Sequence, residues 1–241
     1  MGAPMSRNPW HVAVVIPARN EEALLPRCLK SVLEACALLP VSVTTDVVVA
    51  CDTSTDLTFE IAKQTLAKHG TVVATEAGAV GHARSLATEL ALRRYSGELR
   101  CCWLANTDAD CCVPRSWLVD QLLFADQGIE TVAGIVDVDS FEEHDIGVGV
   151  RFRKSYLIHE DGSHPHVHGA NLGIRGDVYL RSGGWKGLTT AEDHDLWDRL
   201  LKTAARRTST NAVKVLTSGR RVGRAPHGFA GALAAHNEMS A

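Results

Sequence analysis

The sequence predicts an α/β fold on a mostly parallel sheet. Three observations carry this. Short β-rich runs alternate with helical patterns of about 10–15 residues through the first half, the signature of βαβ units. The strand-like runs are continuously apolar rather than alternating, as strands are when both faces are covered. Polar loops follow the strands, and ligands in such sheets bind beyond the carboxyl ends of the strands.

In order, Val12 to Pro17 reads as a buried strand. Ala23 to Cys36 follows as a helix, with Leu25, Cys28, Leu29, Val32 and Cys36 at helical spacing. Asp46 to Cys51 is a second strand and Leu57 to Lys68 a second helix. Thr71 to Thr75 is a third strand. Gly81 to Tyr95 is a helix with Ala83, Leu86, Ala87, Leu90 and Ala91 on one face. Arg100 to Asn106 is a fourth strand. Pro114 opens a helix to about Asp126, and Thr131 to Val138 is a fifth strand. Beyond it the pattern loosens. Ile146 to Ile158 fits a helix or a strand pair. His159 to His168 is a polar loop, Asn171 to Ile174 a short strand and Asp177 to Arg181 a short helix. Gly183–Gly184 is a turn, Asp193 to Thr203 an amphipathic helix, and the stretch from Arg206 a basic, glycine-containing tail. No linker or repeat divides the chain, so one domain of 1–241 is expected.

Composition narrows the function classes. Of 241 residues, 45% are hydrophobic and 22% charged, as in ordinary globular proteins. With 25 Lys+Arg against 28 Asp+Glu the net charge is −3, and aromatics are 5%. Neither fits a nucleic-acid binder, so no nucleic-acid partner is expected. No apolar run approaches the ~18–20 residues of a membrane span. The 7 Cys include the adjacent pairs Cys101–Cys102 and Cys111–Cys112, which lack zinc-site spacing. All are read as reduced thiols in a cytoplasm. Oligomeric state is not legible.

The loops at the strand ends hold the candidate chemistry. They read Pro17-Ala18-Arg19-Asn20-Glu21-Glu22, Cys51-Asp52-Thr53-Ser54-Thr55-Asp56, Gly81-His82-Ala83-Arg84 and Thr107-Asp108-Ala109-Asp110. Caps and turns use the same residue types, so each loop alone has an equally good structural reading. Asp-x-Asp also occurs at Asp137/Asp139 and Asp193/Asp195, but only Asp108/Asp110 directly follows an apolar strand of the alternating half. Two carboxylates there suit a hard cation such as Mg²⁺. There is no GxxxxGK[ST] loop, no GxGxxG after the first strand and no GxSxG elbow. These absences disfavour P-loop, dinucleotide-binding and α/β-hydrolase chemistry.

Taken in order, VVIPARNEE, DVVVACDTSTD, GHARSLA, TDAD, GANLGIRGDVYLRSGGW and AEDHDLWDRL resemble the family 2 nucleotide-sugar-dependent glycosyltransferases of the GT-A fold. The resemblance runs from about Val12 to Leu201. It implies a Rossmann-like, mostly parallel sheet in which about 10–110 binds the nucleotide sugar. A smaller half, about 111–241, would then carry the acceptor and the catalytic residues. By the same resemblance Pro17, Ala18, Arg19 and Glu21 line the base and ribose, and Asp52 accepts a hydrogen bond from the base. Cys51-Asp52-Thr53 departs from the family's usual acidic pair and glycine, which leaves the base open. Arg84 approaches the diphosphate. Asp110 binds Mg²⁺ or Mn²⁺, with Asp108 near the ribose and the cation, and His227 is a candidate further ligand. Glu192-Asp193 matches the acidic pair at a helix start, with Asp193 as general base. Its structural reading is a helix cap. Gly169, Ala170, Asn171 and Trp185 fall on the acceptor side, although an aromatic such as Trp185 is more often core.

The implied activity is metal-dependent transfer of a sugar from a nucleotide diphosphate sugar, UDP-linked by preference, to a hydroxyl acceptor, inverting with Asp193 as base. The alternatives are a retaining transferase similar to glucosyl-phosphoglycerate synthase and an inactive nucleotide-binding or interaction module. His159, His164, His166 and His168 suit either a transition-metal site or an acceptor loop. The basic stretch of Arg206, Arg207, Arg220, Arg221 and Arg224 suits a diphosphate or an ordinary solvated surface.

Overall fold

The apolar runs become the centre of a seven-stranded sheet in a computed structural model that describes residues 9–224 and 228–238. Its strands are β1 (His11–Ala18), β2 (Thr44–Asp52), β3 (Gly70–Thr75), β4 (Cys102–Asn106), β5 (Thr131–Val138), β6 (Leu172–Arg175) and β7 (Arg207–Thr217). Its helices are α1 (Leu25–Ala37), α2 (Thr58–Leu66), α3 (Val80–Arg94), α4 (Trp117–Asp126), α5 (Val148–Ser155), α6 (Gly176–Arg181), α7 (Glu192–Lys202) and α8 (Phe229–Glu238). The strand order is β3-β2-β1-β4-β6-β5-β7. β6 runs antiparallel to β4 and β5, and the remaining pairings are parallel.

Successive strand residues point to opposite faces, so each face builds its own core. Val12, Val14 and Ile16 of β1 face Leu25, Leu29 and Val32 of α1 with Trp117, Leu118 and Leu122 of α4. Ala13 and Val15 face the other way, onto Ala83, Ala87 and Ala91 of α3 with Val178, Leu196 and Leu200. The small residues on α3 let that helix lie close to β1 and β2 without a bulky layer between. A satellite cluster of Val138, Val148, Phe152 and Leu233 joins α5 and α8 to the far end of β5.

The structure resolves one open segment of the second half and corrects another. The undecided segment 146–158 contains the helix α5. The stretch from Arg206 is not a plain tail: it contains β7, which pairs in parallel with β5, and α8. β7 is a sheet-edge strand in which Val213, Val215 and Thr217 are buried and the residues between them exposed. That alternation is legible only over its last residues, because Thr208 to Asn211 is polar on both faces. A register shift at Gly134/Ile135 completes the pairing. Gly134 is required there, because a Cβ would collide with the Asn171 amide.

Candidate active site

The polar loops meet in a cleft of about 380 Å³ at the carboxyl ends of β1, β2 and β4. Pro17, Ala18, Arg19, Glu21, Asp52, Arg84, Asp108, Asp110, Gly169, Ala170, Glu192 and Asp193 all line it. His227 lies outside the described residues.

The first two loops are sewn together before they meet any ligand. Ser54 Oγ accepts the Asn20 N–H at 3.2 Å, and Asn20 Oδ1 accepts the Thr55 N–H at 2.8 Å. Asp56 Oδ2 accepts the Glu22 N–H at 3.1 Å, and Glu22 Oε2 accepts the Leu57 N–H at 3.0 Å. Asp56 also accepts the Thr58 N–H in the first turn of α2 at 3.0 Å. Asn20 and Thr53 hold left-handed backbone, with φ of 51° and 50°. Non-glycine residues persist in that region only where surrounding contacts over-determine them. Asp52 is buried, and its Oδ1 accepts the Gly78 N–H and the Thr53 hydroxyl, each at 2.9 Å.

Arg84 is the hub of the acidic residues. Its side chain is 2% exposed. One Nη donates to Asp108 Oδ1, and Nε donates to Glu192 Oε1 at 3.1 Å. The guanidinium lies over the Trp185 ring, 5.3 Å from its centroid. Burial pulls the guanidinium's proton affinity down, but Asp108, Glu192 and Asp193 more than offset this and hold it above its ordinary value. The Asp108 carboxyl is raised above the usual carboxylate range. Removal from water is the main cause, reinforced by Asp110, Glu192 and Asp193 against the pull of Arg84. Gly169 packs directly on this guanidinium, and a Cβ at that position would strike it.

A second arginine reaches the cleft from the other side. Arg220 follows β7, and its Nη2 lies 2.5 Å from Asp110 Oδ2 and 2.8 and 2.9 Å from the two oxygens of Glu21. Glu21 is buried, which raises its carboxyl while Arg220 opposes the rise. Asp108, Asp110 and Cys111 bring ligand atoms within 4.8 Å of one another. Burial pushes the Cys111 thiol well above its ordinary value, so it offers a protonated sulfur rather than a thiolate. The effective donors are therefore carboxylate oxygens, which fit a hard Mg²⁺ or Mn²⁺ and not a thiophilic metal.

Asp193 stands in the first turn of α7. Its Oδ2 accepts the Gly169 N–H at 2.9 Å, and its Oδ1 accepts the N–H of His194 at 2.8 Å. The residue before this helix, Ala191, is left-handed with φ of 57°. The helix start is thus held in a strained backbone at the cleft, with the carboxylate tied to the Gly169 backbone.

A family model, glycosyl transferase family 2, matches residues 13–181, well over half of the chain. The chain belongs to glycosyl transferase family 2. Solved structures agree on the GT-A fold. TarS from S. aureus matches with TM-score 0.67 at 17% identity, over 86% of this chain and 36% of TarS. TarS 1-349 in complex with UDP-GlcNAc matches with TM-score 0.66 at 19% identity, over 91% of this chain and 61% of that one. The mannosyltransferase PcManGT from Pyrobaculum calidifontis, in complex with GDP-Man and Mn²⁺, matches with TM-score 0.65 at 21% identity, over 88% and 58%. The family 2 chain therefore spans less than two thirds of each of these neighbours. No curated protein matches it at a significant level.

Two of the residues expected on the acceptor side of this family 2 domain are not among those lining the cleft. Asn171 is buried, donating from Nδ2 to Ile135 O at 2.8 Å and Val213 O at 3.0 Å. Its Oδ1 accepts from Trp117 Nε1 at 2.9 Å. It joins β5, β7 and α4, and its polar groups are used inside the protein. Trp185 is buried in the core against Arg84. The histidine loop forms a stack rather than a chelate. The rings of His164, His166 and His168 lie 5.8 and 6.1 Å apart, near parallel, with His166 on Tyr156 at 3.9 Å. Among the described residues these histidines form no group able to hold a metal ion. His168 does line the cleft, bonded through Nε2 to Tyr156 Oη at 2.8 Å. The sequence marks His168 and Arg220 only as members of a histidine-rich loop and a basic stretch, and does not set either beside the carboxylates of this cleft. Arg220 lies 110 residues from Asp110 and 199 from Glu21, and no local pattern links them. No helix among the described residues is long and apolar enough to cross a membrane.

Proposed function

We propose that this family 2 domain transfers a sugar from a nucleotide diphosphate sugar, UDP-linked by preference, to a hydroxyl of an acceptor, with inversion. The observation that carries the reading is the convergence of Asp108, Asp110, Glu192 and Asp193 on one cleft at the carboxyl edge of the sheet. Pro17, Ala18, Arg19, Glu21 and Asp52 would hold the base and ribose, within residues of about 10–110, and about 111–241 would receive the acceptor. Neighbours solved with UDP-GlcNAc and with GDP-Man and Mn²⁺ support a nucleotide-sugar donor.

Asp193 would act as general base. It would take the acceptor hydroxyl's proton as that oxygen attacks the anomeric carbon and the nucleoside diphosphate leaves. The Gly169 N–H holds one carboxylate oxygen in place for this. Glu192, tied to Arg84, would position the start of α7 rather than meet the acceptor. Asp110 and Asp108 would hold Mg²⁺ or Mn²⁺, which neutralises the departing diphosphate when bound. Arg84 would fix the geometry of Asp108 from beneath. The seven free cysteines fit the cytoplasmic location proposed with this activity.

The test is nucleoside diphosphate release from a panel of UDP- and GDP-sugars with Mn²⁺, for wild type and Asp193→Asn. Loss of general base catalysis lowers turnover by about 10²–10⁴. Turnover in Asp193→Asn equal to wild type would remove the base assignment. No release from any donor would favour a binding module.

A further inference from the structure

We propose that Arg220 is the resting occupant of the cation position, and that a divalent cation binds Asp110 only as Arg220 withdraws toward a nucleoside diphosphate. The inference rests on the transferase reading above and concerns how its site is loaded.

Three observations carry it. First, Arg220 Nη2 sits within 2.9 Å of three carboxylate oxygens, Asp110 Oδ2 and both oxygens of Glu21. That is a cation's position, filled by a nitrogen. Second, Mg²⁺ takes its oxygen ligands at about 2.0–2.1 Å, so a metal ion approaching Asp110 Oδ2 along the direction Arg220 uses would overlap this nitrogen. A metal anywhere else on the Asp110 carboxylate would still face the like charge of the Arg220 guanidinium a few ångströms away and share Asp110 with it. Third, the two arginines bonded to the carboxylates of Asp108 and Asp110 are mounted differently. Arg84 stands on α3 beneath the cleft, whereas Arg220 stands on the segment 218–224, outside any helix or strand.

That segment is itself held. Asp139 Oδ1 accepts the Gly219 N–H at 3.0 Å, and Glu143 Oε2 accepts the Arg221 N–H at 2.9 Å. The backbone can stay while the long Arg220 side chain swings. A diphosphate gives it somewhere to go, because a guanidinium pairs with phosphate oxygens through two parallel hydrogen bonds. Arg19 and Arg224 line the same cleft and would share that charge. Nucleotide and cation would then assist each other reciprocally, since each favours the state with Arg220 withdrawn.

The test uses Mn²⁺ as the probe, titrated into the full chain and followed by the EPR signal of free Mn²⁺, alone and with UDP or GDP. Wild type should bind Mn²⁺ alone weakly and about tenfold or more tightly once nucleotide is present. Arg220→Gln should bind Mn²⁺ alone about tenfold tighter than wild type and gain correspondingly less from nucleotide. Asp110→Asn should lose Mn²⁺ in both backgrounds. If Arg220→Gln does not fold, Arg220→Lys serves, because its compact ammonium lacks the fixed fork and should raise Mn²⁺ affinity by a smaller factor. Folded Arg220 variants binding Mn²⁺ no tighter than wild type would overturn the inference. So would wild type binding Mn²⁺ equally well with and without nucleotide. If neither UDP nor GDP binds under any condition, the transferase reading fails, while the Mn²⁺-only comparison still judges Arg220.

Discussion

Two arginines hold the two carboxylates of Thr107-Asp108-Ala109-Asp110, and they do so in opposite ways. Arg84 lies on α3 with its side chain 2% exposed, bonded to Asp108 and Glu192 and covered by Trp185. Arg220 arrives from the segment after β7, 12% exposed, and bridges Asp110 to Glu21. Arg84 and Glu192 are buried together, where removing one partner leaves charge uncompensated, while Asp108 reaches from them into the cleft. The pairing of Arg220 faces the cleft, where water or a ligand can replace a partner. The same ion-pair chemistry therefore serves as framework on one side of the motif and, on the inference above, as an exchangeable contact on the other.

The largest effect expected is at the framework arginine. Arg84→Ala should cost about 3–5 kcal/mol, because Asp108 and the buried Glu192 lose their shared cation. Urea denaturation measures this, and a cost below about 1 kcal/mol would erase the distinction between the two arginines.

The next effect belongs to His168, which borders the same cleft without carrying charge. Burial pushes it down to about 4, with Asp193 pulling the other way. Above pH about 6.5 the ring is neutral in both folded and unfolded chains, so nothing is lost. As pH falls below that, the unfolded chain takes a proton that the folded one refuses. Stability should fall by about 3 kcal/mol between pH about 6.5 and about 4. His168→Asn should flatten that part of the pH profile, and an unchanged slope would show that the ring titrates freely.

Asn171 gives a smaller test of what belongs to the framework. Asn171→Ala strands the Trp117 indole N–H and the carbonyls of Ile135 and Val213, and should cost about 2 kcal/mol. A thermal denaturation curve unchanged from wild type would return Asn171 to the acceptor side. Arg220→Gln should have the least effect on stability, about 1 kcal/mol, because the glutamine amide can still donate to these carboxylates and Arg224 remains 3.9 Å from Glu21. A loss as large as that of Arg84→Ala would make Arg220 part of the framework too.

What the sequence could show divides along the same line. The strands β1, β2 and β4 and the helices between them were legible because burial on both faces leaves continuous apolar runs. Asp108 and Asp110 stood out because they end such a run. β7 was not legible, since an edge strand needs apolar residues on one face only and Arg207 to Asn211 offers few. The pairing of Arg220 with Asp110 and Glu21 was out of reach, because it depends on β7 lying beside β5. Trp185 and Asn171 match the family pattern by residue type, yet their hydrogen bonds and packing turn inward. Residue type alone does not say which way a side chain faces.

The most direct test of the central claim is a thermal-shift measurement with UDP and GDP, with and without Mn²⁺, on wild type and Asp110→Ala. A nucleotide at 100 times its dissociation constant should stabilise wild type by about 2.7 kcal/mol. That stabilisation should require the metal and vanish in Asp110→Ala. A shift equally large in Asp110→Ala, or none with either nucleotide when Mn²⁺ is present, would contradict the account.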